Sequence, residues 1–335
     1  MATACPIDYR HDPAALARAP DLVAETLYVV GGLYGNAPAL EALLALRARE
    51  EEAGAAVTVV FNGDFHWFDV DGDTYRRIGE GVLAHRALRG NVEAELARGG
   101  AEDCGCAYPD YVEPDVPRRS NAIFARLAAT AAAFPAHRAA LAALPATLVA
   151  QVGAQRVAIL HGDPESLAGW HLAEEALRAG DGLPGAGGAP QTAAGRLADW
   201  FRRADVDAFA TTHTCLPFAY GLAVDGRARL IVNNGSAGLP NFHGLRQGLL
   251  TRISTHSAPP PGSLYGTWLD PGQGGVRYDA LAIPYDHERW LRRFLADWPP
   301  GSPAHRSYHR RLVAGPAYDP ALALRGSLRR GRRSA

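Results

Sequence analysis

The sequence predicts an α/β fold, and two observations carry that prediction. The stretch Thr26–Asp64 reads as strand, glycine-rich turn, helix and strand: TLYVV, GGLYGN, APALEALLALRAREEE and VTVVFNGD. That order is a βαβ unit, the building block of a parallel sheet. Further along, apolar β-branched runs again end in short polar turns, the pattern of strands buried in such a sheet. In open α/β sheets ligands gather outside the carboxyl ends of the strands. Asp64, just past the run Val57–Phe61, therefore stands where chemistry is expected.

Composition bounds the rest. A chain of 335 residues buries a large core. With 47% hydrophobic and 21% charged residues it is an ordinary globular composition. The net charge of −1 gives no bulk attraction to nucleic acid or to an anionic membrane. Every basic residue counted among the 34 Lys and Arg is Arg, which excludes a P-loop lysine and a Schiff-base lysine. The first residues lack a signal-peptide pattern and no apolar run approaches the ~18 residues of a membrane span, so a cytoplasmic location is expected. Cys5, Cys104, Cys106 and Cys215 are then expected as thiols.

In order along the chain, residues 1–24 form a Pro- and Ala-rich N-terminal extension. The strand Thr26–Val30, the helix Ala37–Glu52 and the strand ending at Asp64 follow. Asp69-Val70-Asp71-Gly72-Asp73 mimics the start of a calcium loop, but Thr74 stands where that loop needs glycine, so a solvated acidic turn is the better reading. A helix from Thr74 to Leu83 leads to the turn Arg89-Gly90-Asn91. Residues 99–119 read as a long loop. Helices are expected over Ser120–Phe134 and His137–Leu144, then a strand pair, Thr147–Val152 and Arg156–Leu160, ending in His161-Gly162-Asp163. A helix Leu172–Arg178, a flexible Gly-rich stretch 180–190, and a helix Thr192–Ala204 precede the strand Val206–Ala210, which ends in Thr212-His213-Thr214-Cys215. Arg229–Val232 runs into Asn233-Asn234-Gly235-Ser236. Two more antiparallel strands and a helix His287–Trp298 complete a domain spanning 25–315, with insertions near 99–146 and 165–195. Residues 316–335 form an Arg-rich tail, read as disordered from Arg325.

Asp64, Asn91, His161 and His213 thus fall on separate turns. One carboxylate, one amide oxygen and two imidazoles suit Mn, Fe or Zn better than calcium. With the turns Gly32–Asn36, Gly63-Asp64, Gly90–Glu93, His161-Gly162 and Thr212–Cys215, the chain resembles the calcineurin-like metallophosphoesterase superfamily from about Thr26 to Tyr285. The resemblance implies a four-layer αββα sandwich, two metals at the strand ends, phosphoester hydrolysis and a small phosphorylated substrate, with neither nucleic acid nor membrane as a partner. It implies that Asp64, Asn91, His161 and His213 hold the second metal. The first metal's own positions are Gly32, Tyr34 and Cys215, none of them the Asp or His of the family pattern.

Three outcomes are expected from this pattern. A hydrolase running on one metal would need another cationic or proton-donating group, and His66 and Arg89 are the candidates, with Asn36 and Tyr34 as substrate-binding residues. Alternatively, the lost site is rebuilt with sulfur from Cys104, Cys106 and Cys215, with Tyr34 adding a phenolate; small buried apolar thiols are the plainer reading of the same residues. The third outcome is a non-catalytic scaffold that binds a phosphorylated ligand or a partner protein.

Overall fold

The computed structural model of the protein describes residues 9–99, 103–181, 188–270 and 274–328. The chain opens with β1 (Leu22–Ala24) and β2 (Thr26–Val30), followed by α1 (Ala37–Glu52) and β3 (Val57–Asn62). Next come α2 (Gly72–Leu83), β4 (Arg86–Leu88), α3 (Asn91–Arg98), α4 (Asp115–Ala131) and α5 (Pro135–Ala142). The hairpin β5 (Thr147–Val152) and β6 (Gln155–Leu160) precedes α6 (Ala194–Ala204) and β7 (Ala208–Thr211). The last third holds β8 (Phe218–Val224), β9 (Arg227–Asn233), β10 (Gly248–Ser254), β11 (Ser263–Leu269), β12 (Val276–Ile283), α7 (His287–Asp297), α8 (Pro303–Ala314) and β13 (Leu324–Gly326).

These strands make two sheets. One is six-stranded in the order β11-β12-β10-β2-β3-β4, and the other is seven-stranded in the order β1-β5-β6-β7-β9-β8-β13. The strand period of two decides the layering. Leu27, Val29 and Val60 point inward and meet Ala150, Val157, Ile159, Ala208 and Val232 of the other sheet. Their neighbours Tyr28, Val30, Val59 and Phe61 point outward under α1, α2, α4 and α7, against Leu43, Ile78, Phe124 and Trp290. On the far side Val149, Ala158, Phe209 and Ile231 pack under Trp200 and Phe201 of α6. Helix, sheet, sheet, helix is the expected four-layer sandwich, and the chain adopts it.

The expected acidic turn is not a plain solvated one. Asp71 caps α2 by accepting from the Thr74 amide at 3.0 Å, while Asp69 is fully buried. The expected helix Leu172–Arg178 is a 3-10 turn over Glu175–Asp181. The C-terminal tail needs a correction. Arg325, read as the start of disorder, lies in β13, which pairs in parallel with β8. Its guanidinium is buried between Glu174 and Asp181, so the seven-stranded sheet ends well beyond residue 315. The other four arginines of that tail lie outside the described residues, as does Cys5. No helix among the described residues is long and apolar enough to cross a membrane.

Candidate metal centre

Two parallel strands from each sheet deliver the candidate ligands. β3 and β4 lie side by side in one sheet, and their turns carry Asp64 and Asn91. β6 and β7 lie side by side in the other, and their turns carry His161 and His213. Asn62, the last residue of β3, donates from Nδ2 to the carbonyl of Leu160 at 3.0 Å, tying the two sheet edges together. Buried Glu93 fixes the first pair of turns. Its carboxylate accepts from the amides of Asp64 at 2.7 Å, Phe65 at 3.1 Å and Gly90 at 2.9 Å. Glycine is required at 90, because a Cβ there would stand 2.3 Å from Asp64 Oδ1. Asp64 itself is held at φ 51°, a left-handed conformation that costs a non-glycine residue and clusters at functional sites.

The four polar side chains converge on one point. His161 Nε2 lies 3.1 Å from Asn91 Oδ1, 3.4 Å from Asp64 Oδ2 and 3.2 Å from His213 Nδ1. The roles of these atoms follow from their outer partners. Asn91 donates from Nδ2 to the Cys104 carbonyl at 2.8 Å, which leaves Oδ1 facing inward as an acceptor. His161 Nδ1 is 2.9 Å from the Asn62 carbonyl and His213 Nε2 is 3.1 Å from the Cys106 carbonyl. Both outer nitrogens therefore carry a proton, and on neutral rings the inner nitrogens aim their lone pairs inward, the arrangement by which backbone carbonyls orient metal-binding histidines.

Acceptors that face one another repel unless a cation lies among them. Nitrogen ligands about 2.0–2.1 Å from a zinc-like ion stand roughly 3.3 Å apart when tetrahedral, close to the 3.2 Å between His161 Nε2 and His213 Nδ1. Among the described residues Asp64, His161 and His213 are the only three or more His, Cys, Asp or Glu side chains whose ligand atoms lie within 4.8 Å of one another. Without an ion, a proton on His161 answers the same need. Burial works to raise the Asp64 carboxyl, but His161 beside it draws it below the usual range. Burial likewise opposes a charged His161, and the Asp64 carboxylate overcomes that and raises it. Burial, and then the charge of His161, hold His213 down at about 4, as a neutral imidazole. The residues fit a divalent cation.

The neighbouring half is built differently. Tyr34 and Cys215 both adopt left-handed backbone, at φ 52° and 56°. The Tyr34 hydroxyl meets Cys215 Sγ at 2.6 Å. A Cβ added at Gly32 would stand 2.5 Å from Cζ of Tyr34, so the phenol ring fills the space that an aspartate at 32 would need. Burial, and then Cys215, push the Tyr34 phenol well above its ordinary range. The thiols do not rebuild a cluster. Cys104 Sγ and Cys106 Sγ meet each other at 2.6 Å on the Asn91 side, apart from the Tyr34–Cys215 contact.

Three further sequence expectations need correction. His66 is turned away from Asp64: its Nδ1 bonds Asp69 at 2.5 Å, its Nε2 bonds His137 at 2.9 Å, and its ring stacks on Tyr75. Arg89 is not on the cavity wall beside Asp64. Asn36 caps α1, accepting from the Ala39 amide at 3.0 Å and donating to the Gly238 carbonyl at 2.9 Å, so neither end of its amide is left for substrate.

The cavity at Asp64 has a volume of about 150 Å³, roughly five waters' worth at ~30 Å³ each. Tyr34, Cys106, Tyr108, Trp170, His213, Cys215, Tyr308 and Arg311 line it. Trp170, from the segment after His161, donates to the Cys106 carbonyl at 3.0 Å and meets His213 edge-on. Sequence reasoning missed Tyr108, Trp170, Tyr308 and Arg311. Two larger cavities, of about 580 and 560 Å³, lie elsewhere and contain none of the candidate ligands.

The two-sheet sandwich is an architecture that solved structures share. A hypothetical protein from Pyrococcus horikoshii OT3 superposes with a TM-score of 0.55 at 16% identity, covering 88% of this chain and 99% of its own. A metallophosphoesterase from Sphaerobacter thermophilus gives a TM-score of 0.50 at 18% identity, covering 88% of this chain and all of its own. The chain shares the metallophosphoesterase-like α/β sandwich fold. No described sequence family and no curated protein matches it.

Proposed function

We propose that the protein is a metal-dependent hydrolase of phosphate esters working on one resident cation. The observation that carries this reading is the convergence of Asn91 Oδ1, Asp64 Oδ2 and His213 Nδ1 on His161 Nε2, all within 3.4 Å. Asp64, Asn91, His161 and His213 would hold the ion, and their donor set suits Mn, Fe or Zn. When bound, the ion supplies Lewis acidity toward a phosphoryl oxygen.

The chain's own residues supply the rest. The carbonyls of Asn62 and Cys106 lock both imidazole rings in orientation. Trp170 and Tyr108 cover the cavity, which limits bulk water and strengthens every charge interaction inside. The small cavity favours a compact phosphorylated group.

A second reading is a scaffold that binds a phosphorylated ligand without turning it over, and the Tyr34–Cys215 contact across the other half of the site favours it. Metal analysis of the purified protein, paired with a panel of aryl phosphate mono- and diesters, separates the two. One transition-metal ion per chain with metal-dependent hydrolysis is the expected result. A bound metal without turnover of any ester supports the scaffold, and absence of metal binding sinks the hydrolase.

A further inference from the structure

We propose that Arg311 is a phosphate-gripping cation that replaces the charge of the lost half-site, binding non-bridging phosphoryl oxygens beside Asp64. The inference rests on the one-cation reading above. Arg311 lies on α8 and is, among the described residues, the one Lys or Arg on the cavity wall, where it shares that wall with Tyr34, Asp64, His213 and Cys215.

What holds Arg311 is as telling as where it stands. Nε donates to the Pro240 carbonyl at 2.9 Å and Nη2 donates to the Cys215 carbonyl at 3.1 Å. The buried arginines Arg229, Arg252 and Arg325 each sit against a carboxylate. Arg311 has no carboxylate partner among the described residues, so two neutral carbonyls fix its plane and leave its charge uncompensated. Of its five N–H groups, two are committed to those carbonyls. The others remain for a ligand, and a planar fork of N–H groups matches phosphate oxygens.

The rest of the half-site agrees. Gly32, Tyr34 and Cys215 bring neither carboxylate nor imidazole, and the Tyr34 ring closes the space beside Gly32. A second metal cation there would meet Arg311 and no anion except Asp64. An anion placed between the Asp64 cation and Arg311 would be held from both sides, which supplies the second arm of a clamp on a transferring phosphoryl group. Helix α8 is itself anchored: His287 Nε2 bonds the Leu312 carbonyl at 2.7 Å and Arg119 Nε bonds Ser307 at 2.9 Å.

The test measures binding of inorganic phosphate to the metal-loaded full chain by calorimetry, with metal content determined in parallel, for the wild type, Arg311→Met and Arg311→Lys. The expected result is one metal per chain throughout, phosphate affinity at least tenfold weaker in Arg311→Met, and an intermediate loss in Arg311→Lys, which keeps the charge without the fork. Ester hydrolysis, where the wild type shows it, falls in Arg311→Met by about 10²–10³-fold in kcat/KM. Unchanged phosphate affinity in metal-replete Arg311→Met overturns the proposal, as does a second metal in the wild type. Should Arg311→Met fail to fold, a several-fold loss in folded Arg311→Lys supports the clamp and full affinity overturns it. A wild type that binds phosphate through Arg311 yet hydrolyses no ester leaves the clamp standing and removes only the hydrolase.

Discussion

Two groups of residues border Asp64. Asn91, His161 and His213 turn their acceptors toward one another and bind backbone carbonyls behind them. Gly32, Tyr34 and Cys215 instead satisfy one another, phenol against thiol. The first group is arranged around positive charge, because its acceptors converge on His161 Nε2. The second is already closed, and the Arg311 guanidinium donates to the Cys215 carbonyl beside it. The strand-edge geometry does not depend on the candidate ligands alone, because the turns that carry them are held by other residues. Glu93 accounts for one such hold, binding the amides of both the Asp64 and the Gly90 turns.

Breaking the first group is expected to have the largest effect. His161→Gln removes the nitrogen on which the other acceptors converge, and should abolish stoichiometric metal binding and lower ester hydrolysis by about 10³-fold or more. Metal analysis and kinetics on the folded variant check this, and retention of one metal per chain would show that the convergence is not a metal site.

The second group yields a subtler test. Gly32→Asp alone should destabilise the fold by about 1–3 kcal/mol, because its Cβ meets the Tyr34 ring, and it should bind no further metal. Adding Tyr34→His and Cys215→His removes the obstructing ring and supplies two imidazoles. Denaturant melts should show recovery in the triple variant, and metal analysis should show a second ion. Recovery without a second ion would locate the deficit in Arg311 rather than in the missing ligands.

The smallest effect belongs to the buried side of the Asp64 turn, where His66 sits. Burial, and then the charge of His66, hold His137 down at about 4, with Asp69 and Glu80 opposing. A histidine whose folded pKa lies below its unfolded value of ~6.5 binds its proton more readily when unfolded. Its effect is therefore a loss of stability as pH falls from about 6.5 toward 4. His137 is partly exposed, so after solvent screening the contribution is on the order of 1 kcal/mol. Melting temperatures from pH 7 to 5 should fall less steeply for His137→Gln than for the wild type. An equal slope would assign the pH dependence to other groups.

The candidate ligands were legible because each follows a local signal: an apolar run, then a short polar turn. Asp64, Asn91, His161 and His213 needed only that grammar and the rule that strand ends meet at one edge. Arg311 was not legible, since it reaches the cavity from a helix far from any strand end. Helix α8 did carry a sequence signal of its own. Ser302 caps it through the His305 amide, Pro303 opens it and Gly315 closes it. That signal announces a helix without saying what the helix covers. His66 misled for the opposite reason: two positions after Asp64 suggests closeness, but the chain between them bends and sends the ring toward Asp69 and His137. β13 was hidden by Arg325 and the arginine run that follows it in sequence, because a run of charge reads as solvated unless the buried carboxylate partners of Arg325 are known.

The candidate ligands come from both sheets, two turns from each, and they are spread from position 64 to position 213 of the chain. A cation held there is a clasp between two layers that otherwise meet through apolar side chains. Since the unfolded chain does not gather these groups, the clasp couples the ion to folding: a free concentration one hundred times Kd adds about 2.7 kcal/mol to stability. The supply of metal in the surroundings would then govern how long the two sheets stay together, as well as whether the site can act.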